Sequence, residues 1–310
     1  MGQKTGKTGK IKHLLVPLDG SGLAEAALPA AALLAEEFHG RVTLFHVVER
    51  NAPRKIHGQP HISNDVEAEA YLEGVARRAF PEGMKVEWHV HAAKADNVAE
   101  SIVEHAAELN HDAIVMCSHG LGGALHLILG SIAEKVISKG ELPVLVVRPD
   151  RHGGVPEFSC KRLLLPLDGD PDHEQSLPVS KELAKKCGSV LHLAIVVPGF
   201  RNLSGERAVS SRFLPGTTSK MLEISVRHAD EYLQRLRLDL QALGFEASAH
   251  VLRGDPAAVI NDFVGRFGIG LIVMATHGKS GIDAFWAGSV AHRVSSRNRT
   301  PLLLIPVTGG

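Results

Sequence analysis

The chain has 310 residues, of which 44% are hydrophobic and 22% charged, with 34 basic and 34 acidic side chains. This length suits two domains of about 150 residues each, and the zero net charge gives no indication of an electrostatic nucleic-acid binder. No apolar run approaches the ~20 residues that span a bilayer, and the three cysteines lack a Cys-x-x-Cys spacing. The composition therefore predicts a globular cytoplasmic protein without a disulfide framework.

The first half of the chain alternates strand and helix patterns. Residues 1–10 are basic and rich in Gly, Thr and Lys, so we expect a disordered tail rather than a secretory signal. Within the predicted domain 11–150, apolar runs predict strands at 11–18, 41–48, 85–91, 113–117 and 143–148. Helices are predicted over 23–38 and 64–80, after Asp96-Asn97 and after Ser131, and residues 49–62 are predicted to form a surface loop.

The second half repeats this alternation. Residues 151–159 contain two glycines and a proline and are predicted to form a linker to a second domain, 160–310. Strands are predicted at 161–167, 189–197, 246–252, 270–275 and 301–306, with helices over 174–186 and 218–243, after Asp255-Pro256 and after Ser289. Residues 198–217 are predicted to form a loop. The alternation predicts an α/β fold with a doubly wound parallel sheet in each half, whose ligand binds beyond the carboxyl ends of the strands.

A glycine motif follows the fourth strand of each half. It consists of His119-Gly120, nine residues and Gly130-Ser131, repeated 158 residues later as His277-Gly278, nine residues and Gly288-Ser289. Glycines permit a sharp turn off a strand, and the N–H groups and positive dipole end of a helix N-terminus suit a phosphate. Ser131 and Glu134 also have the spacing of a capping box. Glycines that only form tight turns are the alternative, but duplication behind a strand favours a phosphate site.

Both halves resemble the universal stress protein family, and the chain looks like a tandem member. The signature of nucleotide-binding members is Gly, two residues, Gly, nine residues, Gly and Ser or Thr. Its last three elements match in both halves, whereas Cys117 and Ala275 replace the first glycine. The resemblance implies a five-stranded, Rossmann-like sheet of order 3-2-1-4-5 in each half, of the adenine nucleotide alpha hydrolase-like type, and an ATP-like ligand.

The resemblance also implies the residues of the binding site. Asp19 would hold the ribose or the adenine, the backbone of Val47 would contact the adenine, and the glycine motif would hold the phosphates. The complete predicted set is Pro17, Asp19, Val47, Met116, His119, Gly120, Gly130, Ser131 and Ile132 in the first half, and Pro166, Asp168, Ile195, Met274, His277, Gly278, Gly288, Ser289 and Val290 in the second. ATP, ADP or AMP is the expected cofactor, and the presence of Mg²⁺ stays open.

Two alternative functions stay open from the sequence. One is a slow Mg²⁺-dependent ATPase at the same site, although no motif supplies a catalytic base and no catalytic residue is predicted. The other is a nucleotide-free scaffold that binds metal or lipid. His89 and His91 share one face of a strand and could form a pair of ligands, but the 18 histidines show no zinc-site spacing, so no metal ligand is predicted.

The expected partners follow from the predicted edges of the sheets. The fifth strands of both halves are apolar, and exposed apolar edges need cover. We therefore expect the two halves to pair within one chain, in imitation of the dimer of the family. Homodimerisation of the whole chain stays open, and an unidentified protein partner is expected to respond to the bound nucleotide.

Overall fold

The computed structural model describes residues 11–50, 55–56, 59–95, 97–118, 130–149, 154, 157–170, 174–203, 213–276 and 290–306. Several sequence predictions lie outside the described residues. They are the N-terminal tail, most of the linker, Asp96, His119, Gly120, His277, Gly278, Gly288 and Ser289.

The described part of the first half follows the predicted alternation closely. Its strands are β1 (His13–Pro17), β2 (Arg41–Glu49), β3 (Lys55–Ile56), β4 (Gln59–Pro60), β5 (Lys85–Ala95), β6 (Ala113–Cys117) and β7 (Val144–Val147). Its helices are α1 (Leu28–Phe38), α2 (Asp65–Ala79), α3 (Val98–Glu108) and α4 (Ser131–Lys139), and a short 3-10 helix (Ala24–Ala27) precedes α1. The β3–β4 hairpin lies within the stretch predicted as a loop, because two-residue strands have too little pattern to be recognised.

The described part of the second half has the same plan. Its strands are β8 (Arg162–Leu167), β9 (Val190–Val197), β10 (Ala247–Arg253), β11 (Leu271–Thr276) and β12 (Leu302–Pro306). Its helices are α5 (Ser176–Cys187), α6 (Pro215–Ala242), α7 (Pro256–Phe267) and α8 (Val290–Arg297). Local chemistry sets the ends of α7: the Asp255 side chain accepts a hydrogen bond from the Ala258 N–H, Pro256 occupies the first turn, and Gly268 ends the helix at φ 59°.

The main sheet has ten strands in the order β10-β9-β8-β11-β12-β7-β6-β1-β2-β5. Counted by its main strands, each half has the predicted order 3-2-1-4-5, and its neighbouring strands are parallel. The strand order reverses between β1 and β6 in the first half and between β8 and β11 in the second. These two positions open a crevice at the carboxyl edge, where α/β sheets bind their ligands.

The two five-stranded units differ from the prediction in being one continuous sheet. Strands β7 and β12 pair in antiparallel orientation, with Leu145 opposite Leu303. These two leucines are 158 residues apart, so they are equivalent positions of the repeat and a local twofold axis passes between them. The flanking pairs, Val146 with Leu302 and Val144 with Leu304, obey the same symmetry. The apolar fifth strands therefore cover each other, and the idea that this reproduces a dimer of separate chains stays a prediction.

Helices cover both faces of the sheet, and each face has a core that continues from one half to the other. One core contains buried side chains of α1, α2, α5 and α6, including Leu34, Leu72, Leu183 and Leu233. The other contains buried side chains of α3, α4, α7 and α8, including Ile102, Val136, Ile260 and Val294. Burial on both faces explains why the strands are near-continuous apolar runs.

The prediction of a chain without disulfides was wrong. Cys160, just before β8, is paired with Cys187 at the end of α5, with their Cα atoms 6.0 Å apart. The spacing of 27 residues carries no disulfide signature, and only the return of α5 to the start of β8 brings the two sulfurs together. Cys117 is a free, buried thiol. Burial, and then the charge of Asp19, raises the pKa of Cys117 to about 12.

Candidate functional site

The same carboxylate turn ends the first strand of each half. Asp19 Oδ1 accepts hydrogen bonds from the Ser21 N–H at 2.9 Å and from Ser21 Oγ at 2.6 Å. Asp168 Oδ1 accepts one from the Asp170 N–H at 2.9 Å. The residue after each aspartate is a glycine at φ +88°, a conformation that L side chains rarely adopt. The fold therefore presents a half-buried Asp19 and an exposed Asp168 at the carboxyl edge.

The N-terminus of α4 lies at this same edge, because α4 connects the parallel strands β6 and β7. Gly130 is its N-cap residue, with φ −59° and ψ 147°, and no side chain of the described residues caps the helix. The predicted capping box of Ser131 and Glu134 was therefore wrong. Ser131 is already the first helical residue, and an N-cap residue must have an extended backbone. The N-terminal N–H groups thus lack a side-chain cap in the described part of the chain.

The strands place the remaining predicted residues around the crevice. Met116 and Met274 are buried on equivalent strands, and Pro17 and Pro166 are partly buried two residues before the aspartates. Ile132 is 36% exposed on α4. Val290 is partly buried at the start of α8.

The register changes one predicted correspondence between the halves. Pro17 pairs with Phe45, and the equivalent Pro166 pairs with Ala194. Two residues further along, Val47 therefore corresponds to Val196 rather than to Ile195. The apolar runs of both strands hid this shift of one residue, because every alignment within such a run has a similar pattern. The side chain of Ile195 instead lies beside the aspartate turn, 3.6 Å from the position of a Cβ on Gly169.

Two buried histidines lie at the carboxyl edge of the sheet in the first half of the chain. The sequence reasoning missed both. His46 occupies the position of Ile195, and its Nδ1 lies 2.8 Å from the Leu18 carbonyl oxygen. The Nε2 of His46 and the Nδ1 of His61 have no hydrogen-bond partner among the described residues. Burial lowers the pKa of His46, so its imidazole is neutral. A histidine within the apolar run Val42–Val48 was the available signal.

A tyrosine–glutamate contact also recurs in both halves and was missed. The Tyr71 hydroxyl donates to Glu25 Oε1 at 3.1 Å, and the Tyr232 hydroxyl donates to Glu174 Oε1. Burial and the glutamate partner raise the pKa of both phenols. These contacts join α2 and α6 to the segments that follow the Asp-Gly turns. The signal was available, because the chain has two tyrosines and both fall on the same helix of the repeat.

The described residues contain neither a metal cluster nor a membrane-spanning helix. No group of three or more His, Cys, Asp and Glu side chains in that part of the chain is arranged to hold a metal ion. None of its helices combines the length and the apolar character that a membrane-crossing segment requires.

Comparison with known proteins gives one consistent result. The family model for the "Universal stress protein family" matches residues 10–148 and 159–306. The universal stress protein YxiE of Bacillus subtilis is 32% identical over 147 residues, covering 44% of this chain and 97% of that protein. A universal stress protein of Mycolicibacterium smegmatis is 24% identical over 308 residues, covering 94% of this chain and 96% of that protein.

The solved structures agree on the fold over both halves. A universal stress protein from Archaeoglobus fulgidus has a TM-score of 0.66 at 18% identity, with 96% of this chain and 97% of that chain covered. At this identity the likeness concerns the fold alone. The two family matches lie one in each half of the repeat and together span most of the sequence. The chain therefore belongs to the universal stress protein family, as a tandem member.

Proposed function

We propose that each half binds an adenine nucleotide at the carboxyl edge of its strands, and that the protein acts in a stress response as a nucleotide-dependent regulator. One observation carries this proposal. The Asp19 turn and the N-terminus of α4 lie at the same edge, on the two sides of the point where the strand order reverses. A crevice at this position is the usual ligand site of an open α/β sheet.

The residues of the first half fit such a ligand chemically. The Asp19 carboxylate would accept hydrogen bonds from ribose hydroxyls, and the backbone at Val47 would face the adenine. The N–H groups at the start of α4 would receive the phosphates, with the positive end of the helix dipole behind them. Cys117 replaces a glycine of the family signature, but it is 1% exposed and its raised pKa keeps the thiol neutral. It therefore adds no negative charge that would repel a phosphate.

The second half has the same elements in a more open setting. Asp168 is exposed, and by the observed register the backbone at Val196 would take the place of Val47. Ile195 stands where the first half has His46, so the two sites present different side chains beside the aspartate turn. We infer that the halves bind nucleotide with different affinities, the half-buried Asp19 site being the tighter.

The first test is acid extraction of freshly purified protein, followed by mass spectrometry for ATP, ADP and AMP. Calorimetric titration with ATP, with and without Mg²⁺, then gives the stoichiometry, and one nucleotide per half is expected. Asp19→Asn keeps an oxygen for the hydrogen bonds from Ser21 but removes the charge, so it should weaken the first site only. Asp168→Asn is the matched variant for the second site.

Other results of these experiments would favour a different function or a different binding site. Protein that is empty on purification and takes up no added ATP overturns the proposal and favours the scaffold. Phosphate release that requires Mg²⁺ and disappears in Asp19→Asn would show a slow ATPase at the same site. Binding that both aspartate variants leave unchanged would place the nucleotide elsewhere.

We also propose that the β7–β12 pairing reproduces within one chain the dimer of single-domain relatives, and that a protein partner responds to the bound nucleotide. The continuous sheet supports the first part. Small-angle X-ray scattering should show one compact particle, and two separated lobes would contradict the pairing. Light scattering of the purified chain then reports whether whole chains associate further.

A further inference from the structure

Three histidines of the first half come together where the edge strand β5 meets α3. His91 Nδ1, on β5, lies 3.3 Å from His105 Nε2, on α3. The two rings meet edge-on, with centroids 4.7 Å apart and planes at 80°. His89 shares the strand face of His91, and its ring centroid is 5.4 Å from that of His105. None of these three histidines belongs to the set of residues proposed to hold the nucleotide.

A backbone contact fixes the tautomer of His105. Its Nδ1 lies 2.9 Å from the Ser101 carbonyl oxygen, which can only accept a hydrogen bond. The ring proton therefore resides on Nδ1, and the lone pair of Nε2 is directed at His91. A histidine that donates one ring N–H to a backbone carbonyl and presents the other nitrogen is the usual arrangement of a metal ligand.

The separation of the two nitrogens matches a shared metal ion. Histidine nitrogens bind Zn²⁺ at 2.0–2.1 Å in tetrahedral sites, which sets two such ligands about 3.3–3.4 Å apart. We propose that His91 Nδ1 and His105 Nε2 form a two-imidazole site for a divalent transition-metal ion of the Zn²⁺ type, with water completing the coordination. Without metal, the His91 Nδ1–H donates to His105. With metal, the His91 proton resides on Nε2 instead.

Two carboxylates beside the pair favour a bound cation. The exposed carboxylates of Glu104 and Glu108 add negative potential beside the two nitrogens without occupying them.

The second half shows that the fold does not require this histidine pair. Val47 pairs with His91, and the equivalent Val196 pairs with Leu252. His105 corresponds, by the repeat of 158 residues, to Phe263. The same place in the second half is therefore apolar, so packing alone does not explain the two histidines of the first half.

A second histidine pair in the chain provides a control. His192 Nδ1 and His250 Nε2 lie 3.4 Å apart, a similar separation. There, however, Ser248 Oγ lies 2.9 Å from both nitrogens and hydrogen-bonds with them. The ring of Phe263 packs edge-on against His250, with centroids 4.7 Å apart. Because a hydroxyl already satisfies both nitrogens, we expect no metal at this pair.

The test is calorimetric titration of full-length, chelator-treated protein with Zn²⁺. His91→Leu and His105→Phe introduce the residues of the second half, so both should fold, and a melting curve without metal checks this. Each variant should bind Zn²⁺ at least ~10-fold more weakly, since even the loss of a supporting partner costs 10- to 100-fold. His250→Gln is the matched control and should leave the affinity unchanged.

Because imidazoles on a protein surface can bind Zn²⁺ weakly in general, a second measurement is needed to locate the site. Diethyl pyrocarbonate labels accessible imidazoles, and mass spectrometry of the peptides should show that Zn²⁺ protects His91 and His105. An unchanged Zn²⁺ affinity in a folded His91→Leu protein would overturn the proposal, and so would protection confined to other histidines. Mg²⁺ should give no protection, because it prefers oxygen ligands.

Discussion

The two tyrosines of the chain make its stability sensitive to alkaline pH. Burial and the partners Glu25 and Glu174 raise the pKa of Tyr71 and Tyr232, so both phenols keep their protons in the folded chain. In the unfolded chain they ionise near pH 10. The folded state therefore binds more protons above that pH, and its stability falls as the pH rises. Below about pH 10 the contribution is fully present.

The size of this loss of stability follows from the ionisation of the two tyrosines in the unfolded chain. At about pH 11, one pH unit above the unfolded pKa, each fully protected phenol costs the folded state about 1.4 kcal/mol. Both phenols are only partly buried, so the combined loss is expected between about 1.4 and 3 kcal/mol once solvent screening is allowed for.

Urea unfolding at about pH 8 and about pH 11 measures this loss. The double variant Tyr71→Phe/Tyr232→Phe is the control, because its remaining pH dependence comes from lysines and other groups. Near-ultraviolet absorbance of phenolate gives a direct readout, since no other tyrosine is present. Phenolate that forms near pH 10 while the circular dichroism stays native would refute the reasoning, and so would equal pH dependence in the two proteins.

Three other substitutions probe the fold. Leu145→Ala removes a side chain that is 1% exposed at the local twofold axis, and should lower the free energy of unfolding in urea by about 2–5 kcal/mol; a loss below this range would contradict tight packing of β7 against β12. The double variant Cys160→Ser/Cys187→Ser opens a 27-residue loop and should lower the free energy of unfolding by about 3–4 kcal/mol. A reductant should destabilise the wild type by the same amount. If the reductant destabilises the variant equally, the disulfide is not the cause of that destabilisation. For Asp255, burial acts to raise the pKa, but hydrogen bonds from Arg293 and from its own helix lower it overall. Asp255→Ala should therefore cost about 1 kcal/mol near neutral pH and less as the pH falls below about 4, measured by urea unfolding across that range.

The sequence predicts the main strands and helices well because their signal is local. Strand β6 was predicted as 113–117 and is found there, and each end of the fifth strands lies within one residue of its predicted position. Such strands are buried on both faces, so every residue of the run is apolar and the run itself marks the element. The Asp-Gly turns are equally readable, since residues other than glycine rarely adopt the observed φ of +88°.

What the sequence could not predict depends on contacts between distant segments. The Cys160–Cys187 disulfide and the two histidine pairs, His91 with His105 and His192 with His250, require the three-dimensional fold. The cap of α4 was misplaced by one residue, because Gly130 and Ser131 are both acceptable N-cap residues and only the backbone distinguishes them. In the candidate site, Asp19 was predictable from its turn, whereas the role of His46 depends on the Leu18 carbonyl that it reaches.

The antiparallel join of β7 and β12 also frees the chain from a constraint that true symmetry imposes. In a dimer of identical chains, every side chain near the twofold axis meets a copy of itself, so a charged residue there meets its own charge. Here the equivalent positions carry Glu134 and His292, whose Oε1 and Nδ1 are 3.9 Å apart. Because both partners belong to one polypeptide, each can mutate alone, and dilution does not separate them. Because the two halves are covalently linked, side chains on the two sides of the local twofold axis can evolve as complementary pairs.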